Sequence, residues 1–374
     1  MSDTAIKQVD VYRVRVPLAN PYHLSKMYGT LTHSNAVLLR LTLNDGTVGW
    51  GEADPGGRNF DGATAESVMD TLKDTTTALP GQCVKQWVEG GRGLDDTGAA
   101  AAAIDVACHD ALGRAIDLPV YQLLGNRYRN SLDSLWPTSS GSAEADLEVI
   151  GDYFASGFCT FMLKMGDKPV HEDIVRVKSV IENLPGNVKI MVDANQGWTR
   201  EEALTFTEHT GNLPLVLIEQ PVAAADLEGL GRVKQSAACP VSVDESIKIP
   251  ADADVIIAAD CADVFSIKIS KNGGLANSRL MAEKIRNAGK RVLMNSMIEL
   301  GITQAASLHL GCTLDNLMDC GHAYMSTLRM ADDVSDFSSW VTNGTAHLPD
   351  KPGLGVEISL DKVKEYQGDE FHVS

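Results

Sequence analysis

The chain is short of positive charge, of paired cysteines and of long apolar runs, and each shortage closes off a class of protein. Asp and Glu number 50 against 32 Lys and Arg, a net charge of −18. Nucleic acids and anionic membrane surfaces are held by clustered Lys and Arg, so neither is expected as a partner. No apolar run reaches the roughly 18 residues of a membrane-spanning helix. The opening residues MSDTAIKQVDVYRV hold no apolar core of a secretory signal. The seven cysteines (Cys83, Cys108, Cys159, Cys239, Cys261, Cys312 and Cys320) form no C-x-x-C pair. Several lie in apolar runs, where cysteine acts as a small hydrophobe. The chain therefore reads as reduced and cytoplasmic, without structural disulfides.

What is present is a 374-residue chain, 44% apolar and 22% charged, an ordinary globular composition. That length suits two domains, or one large barrel with an addition. The N-terminal part predicts an antiparallel sheet. Residues 7–18 and 35–43 alternate like strands, and Asn44-Asp45-Gly46 is a hairpin turn from which 47–52 returns. Two stretches read as loops, either binding loops or plain surface ones. One is 20–32, with Tyr22, His23, Lys26 and Tyr28; the other is 54–62, with Arg58, Asn59, Phe60 and Asp61. Helices are expected near 63–79 and, Ala-rich, near 97–115.

From about residue 131 short apolar runs alternate with amphipathic helices. Strands are predicted at 132–137, 159–164, 188–193, 215–219, 241–244, 263–268, 291–295 and 315–319. The helices between them fall near 143–156, 171–184, 200–211, 225–237, 250–259, 275–288 and 301–310. Eight strands with intervening helices is the α/β pattern of a (β/α)8 barrel. The alternative, an open doubly wound sheet, calls for a G-x-G-x-x-G loop after its first strand, and none is there.

The second predicted strand, Phe161-Met162-Leu163-Lys164, ends on a lysine. It either snorkels to solvent or is held by a partner, because a buried ammonium is costly. The next strands end Ile190-Met191-Val192-Asp193, Val216-Leu217-Ile218-Glu219, Val241-Ser242-Val243-Asp244 and Ser266-Ile267-Lys268. The steps from Asp193 to Glu219, to Asp244 and to Lys268 are 26, 25 and 24 residues, one βα unit each. All should reach the C-terminal rim, where barrel active sites lie. Three carboxylates on one rim call for a cation, and an all-oxygen set fits Mg²⁺. Helix capping is the alternative for any one of them. Lys164 and Lys268, on strands two and six, would face each other across the mouth. A carboxylate substrate between them would present its α-carbon to an amine on each face. Removal of that α-proton gives an enolate that a divalent metal stabilises. A lysine base must be neutral, so its pKa is expected to fall towards 7–8.

The ordered set of strand-two lysine, VDAN, IEQP, VDES and IKISKNGG resembles the enolase superfamily, specifically its muconate lactonizing enzyme subgroup. The resemblance spans essentially the whole chain. It implies a modified (β/α)8 TIM barrel over 129–351 and an N-terminal α+β capping domain over 1–128, completed by 352–374. It implies Mg²⁺ held by Asp193, Glu219 and Asp244, Lys164 and Lys268 as the acid/base pair, and a homo-oligomer. Asn195 and Glu245 would support the ligands, and the two N-terminal loops, through Tyr22 and Lys26, would close over the substrate. The subgroup pattern is Lys-x-Lys on strand two; here Met162 takes the first place. Members acting on proline-type amino acids and betaines also lack that lysine, which tilts the expected substrate towards amino-acid derivatives. Asn295 stands where many members carry an acid. Met318 and Cys320 stand where dipeptide epimerases carry Asp-x-Asp. Asp319 and His322 are read as substrate contacts or as structural, and Trp136 as one wall of the pocket. Lys271 matches K-x-x-K-x-G-G and is read as a structural loop lysine. His171, His209 and His309 are read as surface or packing residues, and Trp198 as anchoring a turn. The expected activity is racemisation or epimerisation of a small, amino-acid-type (proline-like) carboxylate. The alternatives are a dehydratase of a hydroxyproline-type substrate, a cycloisomerase, or a metal-binding barrel without catalysis.

Overall fold

The structure, a computed structural model, describes residues 4–56, 62–90 and 98–374. Residues 57–61, with Arg58, Asn59, Phe60 and Asp61, lie outside the described residues. The chain opens with β1 (Ile6–His23), β2 (Thr30–Leu43) and β3 (Val48–Ala53), an antiparallel sheet to which the C-terminal strand Gln367–Val373 adds beside β1. The Asn44–Gly46 turn forms as its residue types dictate: Gly46 takes φ +88°, and the Asp45 carboxylate accepts the Thr47 amide at 2.9 Å.

The predicted loop at 20–32 is mostly strand. Tyr22 pairs with Leu31 and His23 with Thr30, so β1 and β2 run on as a long hairpin whose turn is only 24–29. Tyr22 is buried, and His23 bonds outward, its amide donating to Ser139 Oγ and its carbonyl accepting the Ser140 amide, so the segment is held as strand.

Helices α1 (Ala65–Thr76), α2 (Val84–Glu89), α3 (Gly98–Ala115) and α4 (Val120–Leu124) follow. The alanines of α3 allow close approach to β3. A Cβ on Gly51 would stand 1.8 Å from the Ala103 carbonyl oxygen, so that crossing tolerates only glycine.

The barrel strands are β5 (Leu135–Pro137), β6 (Thr160–Lys164), β7 (Lys189–Asp193), β8 (Leu215–Glu219), β9 (Val241–Val243), β10 (Val264–Ile267) and β11 (Arg291–Met294). They form one parallel sheet of seven in chain order. Around them lie α5 (Ala143–Ala155), α6 (Val170–Glu182), α7 (Arg200–Thr210), α8 (Leu227–Ser236), α9 (Pro250–Ala259), α10 (Leu275–Asn287) and α11 (Gly301–Cys312).

Two predicted strands differ. The first, 132–137, is split at Ser134, whose amide donates to the Gly344 carbonyl at 2.7 Å. Its front part, β4 (Ser131–Asp133), joins a small sheet with β12 (Val341–Thr342) and β13 (Thr345–His347). The eighth, 315–319, is not a strand. Its segment touches the barrel through single bridges, Val292 with Leu317 and Ser134 with His322. Met318 and Ala323 bond to Val292 and Met294, so residues 319–322 must bulge and no regular ladder can form.

Cap acids hold the two helices that follow the last strands. The Glu52 carboxylate accepts the Leu300 and Thr303 amides at 2.7 and 2.9 Å at the start of α11. The Asp105 carboxylate accepts the Leu275 and Ala276 amides at 2.6 and 3.2 Å at the start of α10. These are helix N-termini with their orphan N–H groups satisfied by buried acids. All seven cysteines are free thiols. Among the described residues no helix is long and apolar enough to cross a membrane.

Candidate active site at the barrel mouth

Strand register sets the row. Lys164 pairs with Asp193, and Asp193 with Glu219, so three ionisable side chains lie abreast at the ends of β6, β7 and β8. Asp244 and Lys268 follow the ends of β9 and β10. The backbone turns sharply just beyond this row: Asn195, Gln196 and Gln220 have φ of +43°, +64° and +32°. Left-handed non-glycine residues are uncommon and cluster at functional sites.

Each carboxylate of the row is gripped. Lys164 Nζ donates to Asp193 Oδ2 at 2.5 Å, and the Asn195 amide to Oδ1 at 2.8 Å. Asn295 Nδ2 and Ser266 Oγ donate to the two oxygens of Glu219, both at 2.8 Å. Asp244 accepts Lys268 Nζ on Oδ2 and Lys271 Nζ on Oδ1, both at 2.7 Å. Lys271, read from the sequence as a loop lysine, lies in this row on Asp244. Glu245 accepts Tyr28 Oη at 2.9 Å and Asn195 Nδ2 at 3.3 Å.

Charge and burial act against each other here. Burial raises the Glu219 pKa, and Asp193 and Asp244 raise it further. Burial also pushes Asp244 up, but the Lys268 and Lys271 ammoniums outweigh it and hold the acid low. Glu245 is pushed up to about 7 by burial, then by Asp244 and Asp193. For both rim lysines burial pulls the pKa down. Asp193 beside Lys164, and Asp244 beside Lys268, more than reverse that, and both sit above the ordinary value. The expected fall of Lys164 towards neutrality is therefore not what the chain's own groups produce: burial is the largest single influence, but Asp193 at 2.5 Å, with Tyr22 and Glu219, outweighs it.

A cavity of about 420 Å³ opens over this row, lined by Lys164, Lys268, Met162, Asn195, Asn295 and Tyr22 among others. Met162 points inward below Lys164, as period-two alternation predicts. Leu24, Tyr28 and Leu31 of the hairpin and Asp54, Pro55 and Gly56 after β3 form its roof. Tyr28 ties that roof to the barrel, since Gln196 Nε2 also donates to its hydroxyl at 2.8 Å.

Other predicted residues fall elsewhere. Trp136 does not line this cavity. It faces outward and stacks on Tyr153 of α5 at 3.4 Å between ring centroids, while its neighbours Leu135 and Pro137 point in. Alternation along β5 is the reason. Lys26 is exposed on the hairpin turn and is not in the lining. Asp319 is 98% exposed beside Lys189, the first residue of β7, and so lies at the opposite end of the barrel. His322 is buried, and its Nδ1 accepts the Met294 amide at 3.1 Å. Burial, then Arg129, pushes its pKa down to about 4. His309 packs between the Tyr121 amide and the Leu354 carbonyl. His171 and His209 are exposed. Trp198 anchors its turn by donating to Asp173 at 3.0 Å.

Sequence reasoning misses Ser266 and Gln220, whose side-chain oxygen accepts the Asp244 amide at 2.9 Å. It also misses Leu135 and Pro137, which alternation around Trp136 signals. Tyr28 stands out in the sequence only as a loop aromatic.

Among the described residues no three His, Cys, Asp or Glu side chains stand grouped closely enough to hold a metal ion. The donor set nonetheless fits a hard cation. Asp193, Glu219 and Asp244 offer only oxygen, and Asn195 Oδ1 and Glu245 Oε2 are buried beside them without a hydrogen-bond partner.

Residues 6–125 match the family model for the mandelate racemase/muconate lactonizing enzyme N-terminal domain, and residues 145–363 the enolase C-terminal domain-like model. The chain belongs to the mandelate racemase/muconate lactonizing enzyme family. Its relatives in that family include an N-succinyl-L-Arg/Lys racemase of Bacillus cereus, 30% identical over 96% of this chain and 97% of the relative. A muconate cycloisomerase of Acinetobacter lwoffii is 31% identical over 97% and 96%. The solved structure of the Bacillus cereus racemase superposes with a TM-score of 0.92 at 29% identity, covering 99% of this chain and 100% of that one. That of a muconate lactonizing enzyme from Pseudomonas fluorescens, complexed with muconolactone, gives 0.92 at 27% identity, covering 98% and 100%. This family member thus has the enolase superfamily architecture along its whole length, with racemases, epimerases and cycloisomerases as relatives.

Proposed function

We propose that this family member is a racemase or epimerase that removes and returns the α-proton of a small amino-acid-type carboxylate. One observation carries the reading: two lysines, Lys164 and Lys268, line one cavity from strands separated by three others. Inversion needs a base on each face of the α-carbon, one to take the proton and one to return it. Binding alone needs no such pair, which speaks against a barrel without catalysis.

Asp193, Glu219 and Asp244 would hold a divalent cation, Mg²⁺ by the hardness of the oxygen set. Bound there, it supplies Lewis-acid stabilisation of the charge that develops on the substrate carboxylate. The chain's own residues do the rest. Lys164, as neutral amine, takes the proton from one face, and Lys268, as ammonium, delivers one to the other. The roles reverse for the opposite enantiomer. Charge count supports the pairing with a cation. Three ammoniums (Lys164, Lys268, Lys271) face the three carboxylates, and a neutral base leaves that set one positive charge short. Asn195 and Glu245 brace the row, and Tyr28 joins the hairpin roof to it and keeps water out.

An N-acylated amino acid is the substrate class favoured by the Bacillus cereus racemase and by the L-Ala-D/L-Glu epimerase of Bacillus subtilis, 30% identical over 94% of this chain. Proline-like carboxylates belong to the same test. Cycloisomerisation through the same intermediate is the second reading, favoured by the muconate relatives; dehydration of a β-hydroxy analogue is the third. The test is incubation of an enantiomer-resolved panel of amino acids and their N-acyl derivatives in D₂O, with and without Mg²⁺. Racemisation with deuterium at the α-carbon is expected only with the metal. Lactone formation from muconate without α-exchange in the panel would replace this reading by the second. No reaction of either kind would overturn the catalytic reading.

A further inference from the structure

Arg329 joins the hairpin over the mouth to the outside of the barrel, and the proposed chemistry does not use it. Its guanidinium lies over the Tyr22 ring, 4.1 Å from the centroid, and over the Trp136 ring at 4.9 Å. Trp136 is itself fixed. It stacks on Tyr153 of α5 at 3.4 Å and 18°, and Phe158 meets both of these rings edge-on. Arg329 therefore ties a ring of β1 to a braced ring of β5.

The backbone around it is tied in the same way. Arg329 ends a short 3-10 turn, Ser326–Arg329. Just beyond it Met330 bridges to Leu18 of β1, and the Ala331 amide donates to the Pro17 carbonyl at 2.9 Å. Nη2 of Arg329 donates to the Pro137 carbonyl on β5. Burial pulls the Arg329 pKa down, and the groups that favour its charge are the phenols of Tyr22 and Tyr153. A planar, delocalised cation can lie on ring faces and still donate in its own plane to a carbonyl, which a lysine cannot.

The residues it holds belong to the mouth. Tyr22 and Pro137 line the cavity with Lys164, Met162 and Leu135. The influences on the Lys164 charge are burial, Asp193, then Tyr22 and Glu219, whereas those on Lys268 are burial, Asp244, Glu219 and Glu245. Tyr22 thus stands on the Lys164 side. The carboxylate row ends β7 and β8 and follows β9, while Arg329 bears on β1 and β5.

We infer that Arg329, outside the mouth, is a positioning residue that acts through Tyr22 to fix the wall along which a substrate is aligned with Lys164. This rests on the proposed racemase or epimerase reading. Loss of the clamp leaves the carboxylate row in place and disturbs alignment, so turnover falls more than binding does.

The test is racemisation of the best substrate of the amino-acid and N-acyl amino-acid panel, with kcat and KM separated and folding checked by the thermal midpoint. Arg329→Lys keeps the charge and loses the plane. It should lower kcat about 10–100-fold and change KM by less than about threefold. Tyr22→Leu should lower kcat as well. Arg329→Lys added to Tyr22→Leu should then cost less than about a further twofold, because the ring it acts through is gone. A folded Arg329→Lys with wild-type kcat and only a lower thermal midpoint would make the arginine merely structural and overturn the proposal. So would losses that multiply in the double variant, or a raised KM at unchanged kcat. Wild type inactive on the whole panel would overturn the racemase reading and this proposal with it; an active wild type matched by its variants overturns this proposal alone. If Arg329→Lys does not fold, Trp136→Leu, which removes the braced ring and leaves every mouth residue in place, decides by the same kcat and KM.

Discussion

The two lysines of the mouth stand in unlike halves of one rim. Around Lys164 the wall is apolar: Met162 lies below it, and Leu135 and Pro137 share the lining on that side. Lys164 pairs with Asp193, and Glu219 also favours its charge. Around Lys268 the wall is polar. Lys271 shares Asp244 with it, and Asn272 Oδ1 accepts the Lys268 amide at 2.9 Å. Lys271 is buried and its pKa is lowered, first by burial. On the Lys164 side Met162 stands two residues earlier on β6, and among the described residues no second ammonium shares Asp193. The difference lies in how each carboxylate is shared: Asp193 pairs with Lys164 alone among the described residues, whereas Asp244 is divided between Lys268 and Lys271.

The largest expected effect comes from removing either lysine proposed as a base. Lys164→Ala and Lys268→Ala should each lower racemisation by about 10²–10⁴-fold. If the halves work one-sidedly, each variant keeps α-proton exchange from one enantiomer only, and the enantiomers differ between the variants. Deuterium incorporation followed separately from each enantiomer measures this. Full two-way activity in either variant would remove that lysine from the chemistry and end the comparison.

Met162→Lys should make the first half resemble the second. A second ammonium under Lys164 lowers its pKa, since like charges disfavour the charged form. The base must be neutral, so the limb on which kcat/KM rises with pH should move to lower pH by about 1–2 units. Burial of the new charge should also cost several kcal/mol of stability, read from urea unfolding. Met162→Leu, which keeps the apolar wall, should cost under about 1.5 kcal/mol and leave the profile in place. An unmoved limb in Met162→Lys would show that the apolar half does not set the Lys164 titration.

The contrast between the halves is partly legible in the sequence. Asp193, Glu219, Asp244 and Lys268 announce themselves because these barrel strands repeat every 24–26 residues and each ends on an ionisable group, and Lys164 ends the strand 29 residues before Asp193. Met162 is legible by alternation. What a repeat cannot show is where the repeat fails. The eighth segment has strand-like composition but bulges between its bonds to Val292 and to Met294 of β11, so the repeat misplaces its register and Asp319 with it. Trp136 is misplaced because alternation along β5 turns it outward and puts Leu135 and Pro137 in the lining. The roof reads as a loop because its Gly, polar and aromatic residues look alike in a loop and in a twisted hairpin. Tyr28 and Gln220 act through contacts more than 20 residues distant in sequence, such as Tyr28 with Glu245, and nothing local marks them.

Smaller effects separate the mouth from its scaffold. His309 and His322 are buried, and burial first of all pushes both down to about 4. Unfolded, each titrates near 6.5. Between about pH 6.5 and 4 the unfolded chain therefore binds more protons than the folded one, so stability is present above that window and is lost as pH falls through it. The loss approaches about 1.4 kcal/mol per pH unit for each histidine. Urea unfolding at several pH values should show it, and His309→Gln should flatten the slope while leaving the shape of the kcat/KM profile unchanged. A profile that moves with His309→Gln would mean that the scaffold and the rim titrate together.

The smallest effect expected is that of Asp319→Ala. Its side chain is almost fully exposed, and its nearest cation, Lys189, is 3.9 Å away at the foot of β7. An exposed pair at that separation contributes little, so stability should change by no more than about 0.5 kcal/mol. Turnover of both enantiomers should equal that of the wild type. The measurement still decides something, because the eighth segment is the one part of the barrel held by single bridges. If Asp319→Ala slows racemisation more than the unfolding change accounts for, the segment shifts in the working enzyme and brings its acid towards the rim. The wall beside Lys164 would then be neither purely apolar nor fixed. An unchanged rate keeps Asp319 at the far end of the barrel and leaves Lys164 with Asp193 as its acid.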